Sequence, residues 1–325
     1  MMTRAAVFVL TAFVFASSAC ADAPKLGLPI TCELGKTCWV QQYVDHDPSG
    51  AAKDYACGTQ TYDGHDGTDI RVRDITSPAD VIASAGGTVK AVRDGVADHL
   101  IRSDADRAAV TDRECGNGVL ISHEGGWETQ YCHMRQSSIA VKAGDAVSAG
   151  QKLGAVGYSG MAEFPHVHLT VREGNRAVDP FRGGKDGTQC GQPDNPLWTK
   201  DALLALAYRK SDILALSFAP GAVEMEQLEE GRVAAVPSRD WPAMVAYVWV
   251  INLEKGDRVN ILFEGPQGIV AENGVTLERA KAQYLLFAGK KRPASGWPKG
   301  VYRVRVDVSN AEKTRLEKGW HITID

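Results

Sequence analysis

The sequence predicts a mostly β protein. An antiparallel, barrel-like or sandwich-like sheet comes first, and a C-terminal immunoglobulin-like β-sandwich follows. Three observations carry this expectation. Short runs of alternating apolar residues recur along the chain, separated by Gly, Asp and Asn turns. Helical periodicity is almost absent between residues 61 and 182. A Gly/Pro/Asn-rich stretch, residues 183–200, divides the strand runs into two sets, and 325 residues suffice for about two domains.

The N-terminus reads as a transport signal over residues 1–21. Arg4 supplies the positive start, Ala5–Ala16 is an apolar run, and Ser17 to Ala21 are small. The run is short for a membrane span, and no later segment is long and apolar enough to be one. This implies an exported protein, periplasmic or extracellular in the cell envelope. Cleavage after Ala21 uses the A-x-A site Ala19-Cys20-Ala21. The alternative is a lipid on Cys20, although Ser17 stands where such a site usually has Leu. Without Cys20, Cys32, Cys38, Cys57, Cys115, Cys132 and Cys190 remain, an even set that suits disulfides in an exported chain, with pairing undetermined. The net charge of −4 argues against a dedicated nucleic-acid binder.

Residues 22–60 read as an irregular, polar, cysteine-containing extension. Strands are expected at 68–72 (TDIRV), 80–84 (DVIAS), 87–92 (GTVKAV), 118–123 (GVLISH) and 128–134 (ETQYCHM), with Glu124–Trp127 as a hairpin turn. Very short strands separated by tight Gly turns follow over 141–154. After the 183–200 linker, Thr199 is placed to cap a short helix with an apolar face from Ala202 to Ala207. The expected domain boundaries are thus 61–182 and 201–325. In the second, strands are expected at 213–219, 244–252, 258–264, 283–288, 301–308 and 320–324. In VYRVRVDV, Tyr302, Val304, Val306 and Val308 take one face and Arg303, Arg305 and Asp307 the other. The charged run Glu224–Arg232 reads as a solvated segment.

The histidines carry the chemistry. His65 and Asp69 form an HxxxD pair in GHDGTDI, and His166 and His168 an HxH pair in FPHVHLTV. On a strand, residues two apart share a face, so His166 and His168 project together while Val167, Leu169 and Val171 face a core. Imidazole nitrogens and one carboxylate oxygen are ordinary zinc ligands, and a catalytic zinc keeps a fourth position for water. His65, Asp69 and one histidine of the HxH pair make such a three-ligand open site. Either motif alone is weak evidence. Together in an exported β domain, with a further histidine in YCHM, they are much stronger. Of the others, His123 reads as structural, His321 as solvated, and His46 and His99 as loop residues without ligand spacing. Tyr62 and Tyr131 are near enough in sequence to donate to an oxyanion.

Residues 61 to about 181 resemble the lysostaphin/LytM-type zinc metalloendopeptidases that cut peptide bonds in peptidoglycan. GHDGTDI, the strand pair ending in YCHM, the Gly turns of VKAGDAVSAGQKLGAVGYSG, and PHVHL run in that family's order. The resemblance implies one Zn²⁺ held by His65, Asp69 and His168, with His133 and His166 as unligated catalytic histidines. It further implies peptidoglycan peptides as substrate. Leu169-Thr170 departs from the Phe-Glu that often follows the family's HxH. The alternative is a zinc-retaining but non-catalytic regulator or binding module of cell-wall hydrolases. The C-terminal domain carries no chemical motif and reads as a spacer or as a docking surface for a cell-wall protein. A carrier-type barrel, suggested by GGTVKAV, leaves the histidines without a role.

Overall fold

The computed structural model describes residues 22–183, 190–191, 195–233, 237–311 and 313–325. The expected transport signal therefore lies outside the described residues, as does part of the expected linker. The first half holds β1 (Cys38–Gln42), β2 (Thr68–Val72), β3 (Asp80–Ile82), β4 (Gly87–Arg93), β5 (Asn117–Ser122), β6 (Trp127–Met134), β7 (Ala146–Val147), β8 (Lys152–Ala155), β9 (His166–Glu173) and β10 (Arg176–Val178). Eight of these form one antiparallel sheet in the order β1-β2-β9-β6-β5-β4-β7, with β10 on β9, while β3 and β8 pair separately. β9 lies centrally because its sequence suits it: Val167, Leu169 and Val171 are fully buried on one face and pack into a single core with Ile70, Val119, Ile121 and Tyr131.

The second half holds β11 (Asp212–Ala219), β12 (Ala243–Leu253), β13 (Arg258–Gly265), β14 (Gly268–Thr276), β15 (Lys281–Lys291), β16 (Gly300–Asn310) and β17 (Lys313–Ile324). These make two antiparallel sheets, β11-β12-β15 and β14-β13-β16-β17. Their inner faces enclose a second core with Val248, Val250, Ile261, Phe263 and Trp297, and the alternating Tyr302, Val304, Val306 and Val308 of β16 point into it. The mostly β class with antiparallel sheets and a C-terminal sandwich is as the sequence predicts.

Four elements differ from expectation. The 22–60 segment is built into the fold rather than irregular: β1 extends the sheet edge, and Leu26, Ile30, Tyr43 and Tyr55 are buried in the first core. A short helix, α1 (Asp104–Ala109), capped by Ser103, interrupts the strands, and its six residues are too few to show periodicity. β14, whose apolar residues are interrupted by Glu272, Asn273 and Gly274, is absent from the predicted strands. It forms on the ladder offered by β13. The Glu224–Arg232 run is also not simply solvated. It contains a short helix, α3 (Met225–Glu229), that follows α2 (Lys200–Ala205) in the chain and buries Leu228 and Glu229. Thr199 caps α2 as its sequence predicts, its side chain accepting from the Ala202 N–H.

The two halves share an interface. Trp39 of β1 packs with Leu214, Leu228, Tyr247 and Trp249 in a third apolar cluster. Polar bonds cross beside it: Gln41 donates to the Ala282 carbonyl at 2.9 Å, and Asn252 donates to Gln60 at 3.0 Å. Three disulfides join Cys32–Cys38, Cys57–Cys190 and Cys115–Cys132, so Cys132 is not a free thiol.

Candidate metal centre and active site

The site is assembled on the β2–β9 ladder. Asp69 lies opposite His168, and Arg71 opposite His166. Cross-strand partners share a face, as do residues two apart, so all four rise on one side of the sheet while the valines fill the core behind them. His65 sits on the loop entering β2, which is pinned by bonds from the His65 N–H to the Tyr62 carbonyl and from Asp45 N–H to the His65 carbonyl. Gly67 is required in that loop: a Cβ there would fall 2.5 Å from the His168 ring.

β6 flanks β9 on its other side with Cys132 opposite His168. Regular alternation would turn His133 to the far face. Instead His133 takes a positive φ of 60°, a conformation costing on the order of 1 kcal/mol for a non-glycine residue. Surrounding structure holds it there. Its N–H donates to the Cys115 carbonyl, its carbonyl accepts from Gly157 N–H, and the Cys115–Cys132 disulfide closes the loop beside it. The His133 ring thereby reaches 4.6 Å from the His166 ring and 5.9 Å from that of His168.

His65 Nε2 lies 3.2 Å from both His168 Nδ1 and Asp69 Oδ2, and His168 Nδ1 lies 2.8 Å from Asp69 Oδ1. Ligand atoms at the corners of a zinc tetrahedron stand about 3.3 Å apart, given metal–ligand bonds of about 2.0–2.1 Å. The two 3.2 Å separations are close to that edge and the 2.8 Å one is shorter, so the three side chains converge on one point without filling four corners. Among the described residues, this is the one group of three or more His, Cys, Asp or Glu side chains close enough to hold a metal ion.

The outer contacts set the tautomers. A carbonyl oxygen only accepts, so Nδ1–H donates from His65 to Tyr43 (2.6 Å), from His133 to Ser159 (2.8 Å) and from His166 to Phe164 (2.8 Å). Each Nε2 then carries a lone pair. His168 is oriented the other way: its Nε2 meets the Thr170 hydroxyl at 2.9 Å and Asp66 Oδ1 at 3.2 Å, which leaves Nδ1 for the metal position. Burial, reinforced by His166 and His168, holds His133 well below the usual imidazole range, and burial also lowers His166. Burial opposes ionisation of Asp69, yet the surrounding imidazoles hold it well below the usual carboxylate range. At His168 burial works downward, but hydrogen bonds to Asp66 and Asp69 outweigh it and push the pKa up to about 9. A cation held by His65, Asp69 and His168 would take the place of that proton.

These residues open onto a cleft of about 410 Å³ whose lining includes Tyr62, Arg107, Glu163 and, from β15, Ala282 and Gln283. Tyr62 is half exposed there, its ring 4.6 Å from that of His65. Tyr131 is not at the site: it is buried in the first core and its hydroxyl accepts from the Ser84 N–H at 2.7 Å. His46 pairs with Asp179 (2.6 Å) and His99 with Asp106 (3.0 Å), while His123 bonds Gly86 and Thr129 and His321 is exposed. Sequence reasoning missed Asp66, Thr170 and Gln283. Thr170 was within reach, since it stands two residues beyond His168 on the same strand face.

A buried two-histidine, one-carboxylate cluster with two further imidazoles beside it is a donor set suited to a metal ion. Residues 63–180 match the model of peptidase family M23. An uncharacterized metalloprotease of Haemophilus influenzae is 31% identical over 127 residues, covering 39% of this chain and 22% of that protein. The DD-carboxypeptidase/endopeptidase Mpg of Neisseria meningitidis serogroup B is 30% identical over 131 residues, 39% of this chain and 28% of that one. The chain thus spans less than a third of the length of these curated relatives. Among solved structures, the catalytic domain of the prophage-encoded M23 protein EnpA from Enterococcus faecalis covers 50% of this chain at 24% identity, with a TM-score of 0.33 over 97% of that domain.

Proposed function

We propose that this chain is an exported zinc metalloendopeptidase that hydrolyses peptide bonds in peptidoglycan cross-links. The observation carrying this reading is the division of the five side chains: His65, Asp69 and His168 converge as a group able to hold a metal ion, while His133 and His166 present unprotonated Nε2 atoms beside them. Zinc at the three ligands supplies a Lewis acid for the scissile carbonyl and acidifies a water. The rest is the work of this chain. His133 and His166, kept neutral by burial, accept or orient the proton of the attacking water and return it to the leaving amine. Their Nδ1–H bonds to fixed carbonyls hold both rings in place, and the imidazolium that forms is favoured by the Asp69 carboxylate, whose Oδ1 is 3.6 Å from His166 Nε2. The apolar run and small residues of 1–21 support export, and no helix among the described residues is long and apolar enough to cross a membrane.

The test is incubation of purified protein with intact sacculi, with and without a chelator, followed by mass analysis of the released fragments. Cross-linked muropeptides should shorten only with metal present. Fragments equally abundant from His168→Ala would refute the reading.

A further inference from the structure

The peptidase-type cleft is not walled by its own sheet alone. Ala282 and Gln283 of β15, in the C-terminal sandwich, line it together with Gln42, Phe164 and His166. Four bonds hold this step in place. The Ala282 carbonyl accepts from Gln41 at 2.9 Å. Gln283 Oε1 accepts from Arg71 Nη1 at 2.8 Å and from Trp249 Nε1 at 3.2 Å. Gln283 Nε2 donates to Glu229 Oε1 at 3.3 Å, and Glu229 in turn pairs with Arg102 at 2.6 Å. The amide is thus oriented from both ends.

Arg71 ties this step to the chemistry. It is fully buried, lies opposite His166 on the ladder, and sits over the Phe164 ring at 4.7 Å and the Trp249 ring at 4.9 Å. The Phe164 ring is in turn 4.5 Å from that of His166. A guanidinium held between two rings, with neutral oxygens of Gln41, Gln283, Val72 and Arg73 accepting from it, is a rigid joint. A mobile spacer domain would need no such joint.

We propose that the C-terminal sandwich is part of the substrate cleft: the Ala282–Gln283 step, locked by Arg71, contacts the peptide away from the scissile bond and sets the preference for long peptides over short ones. This inference rests on the peptidase reading above. Gln42 gives that wall a carboxamide, and Gln283, whose Oε1 is already taken by Arg71 and Trp249, keeps one Nε2–H to donate; these suit the backbone amides of a peptide. Contacts remote from the reacting centre are where enzymes distinguish full from truncated substrates.

The experiment compares wild type, Gln283→Ala and Ala282→Trp, each loaded with zinc and checked for metal stoichiometry. The substrates are a cross-linked muropeptide dimer and a truncated peptide with the same scissile bond. Wild type should prefer the dimer. Gln283→Ala should lose roughly ten-fold of that preference, about 1.4 kcal/mol, with the change in KM rather than kcat. Ala282→Trp, which fills the wall, should raise KM for the dimer more than for the short peptide. Unchanged preference in both variants, with wild type active, overturns the wall and leaves the peptidase reading standing. A wild type that neither cuts nor binds either peptide overturns both. Should a variant lose its zinc, dimer binding by wild type and Arg71→Lys decides: equal affinities overturn the proposal.

Discussion

Thr170→Val tests the orientation of His168. Thr170 is 1% exposed, and its hydroxyl stands 2.9 Å from His168 Nε2, so valine replaces it at nearly equal volume while removing the acceptor that fixes the tautomer. Outer-shell partners of a metal-bound histidine are worth about 10–100-fold in affinity. Asp66 Oδ1 remains 3.2 Å from the same nitrogen and can take over part of the bond. The single variant should therefore lose about ten-fold in zinc affinity, or about 1.4 kcal/mol. Thr170→Val with Asp66→Ala, which leaves the nitrogen with neither partner, should approach 100-fold. Competition against a chelating dye at fixed pH measures both, with a thermal melt of the metal-free proteins as the control for folding. Wild-type affinity in the double variant would refute the assignment of Nδ1 as the ligand atom. Tighter binding would show that Nε2 had been the ligand, restrained by Thr170.

Three further outcomes follow from the geometry. His133→Ala and His166→Ala should each retain zinc, by metal analysis, while fragment release from sacculi falls by about 10²–10⁴-fold. Gly157→Ala should destabilise the fold by about 1–3 kcal/mol in urea titration, because a Cβ would lie 2.3 Å from the Arg135 nitrogen on a segment bonded to both His133 and His166. Replacing both cysteines of Cys57–Cys190 by serine should cost more than replacing Cys115 and Cys132. Their sequence separations of 133 and 17 residues correspond to about 5 and about 3 kcal/mol of chain entropy. Urea midpoints in the reverse order would contradict that account.

What the sequence by itself determined is what repeats locally. Alternation marked β9 and β16, placed Val167, Leu169 and Val171 in the core, and brought His166 and His168 to one face, because strand geometry has a fixed period of two. The HxxxD spacing likewise offered His65 and Asp69 as a pair. Tertiary structure decided the rest, since each remaining feature depends on a neighbour distant in the chain. β14 became a strand only against β13, and Glu229 was drawn inside by Arg102 and Gln283. By the period-two rule Tyr131 and His133 would share the face away from His168. Tyr131 stays in the core, whereas the left-handed turn at His133, clamped by Cys115 and Gly157, carries that ring round to the side of His166 and His168. Gln283 lies 115 residues beyond His168 in sequence, and only the packing of one sheet edge on the other half of the molecule puts it in the same cleft.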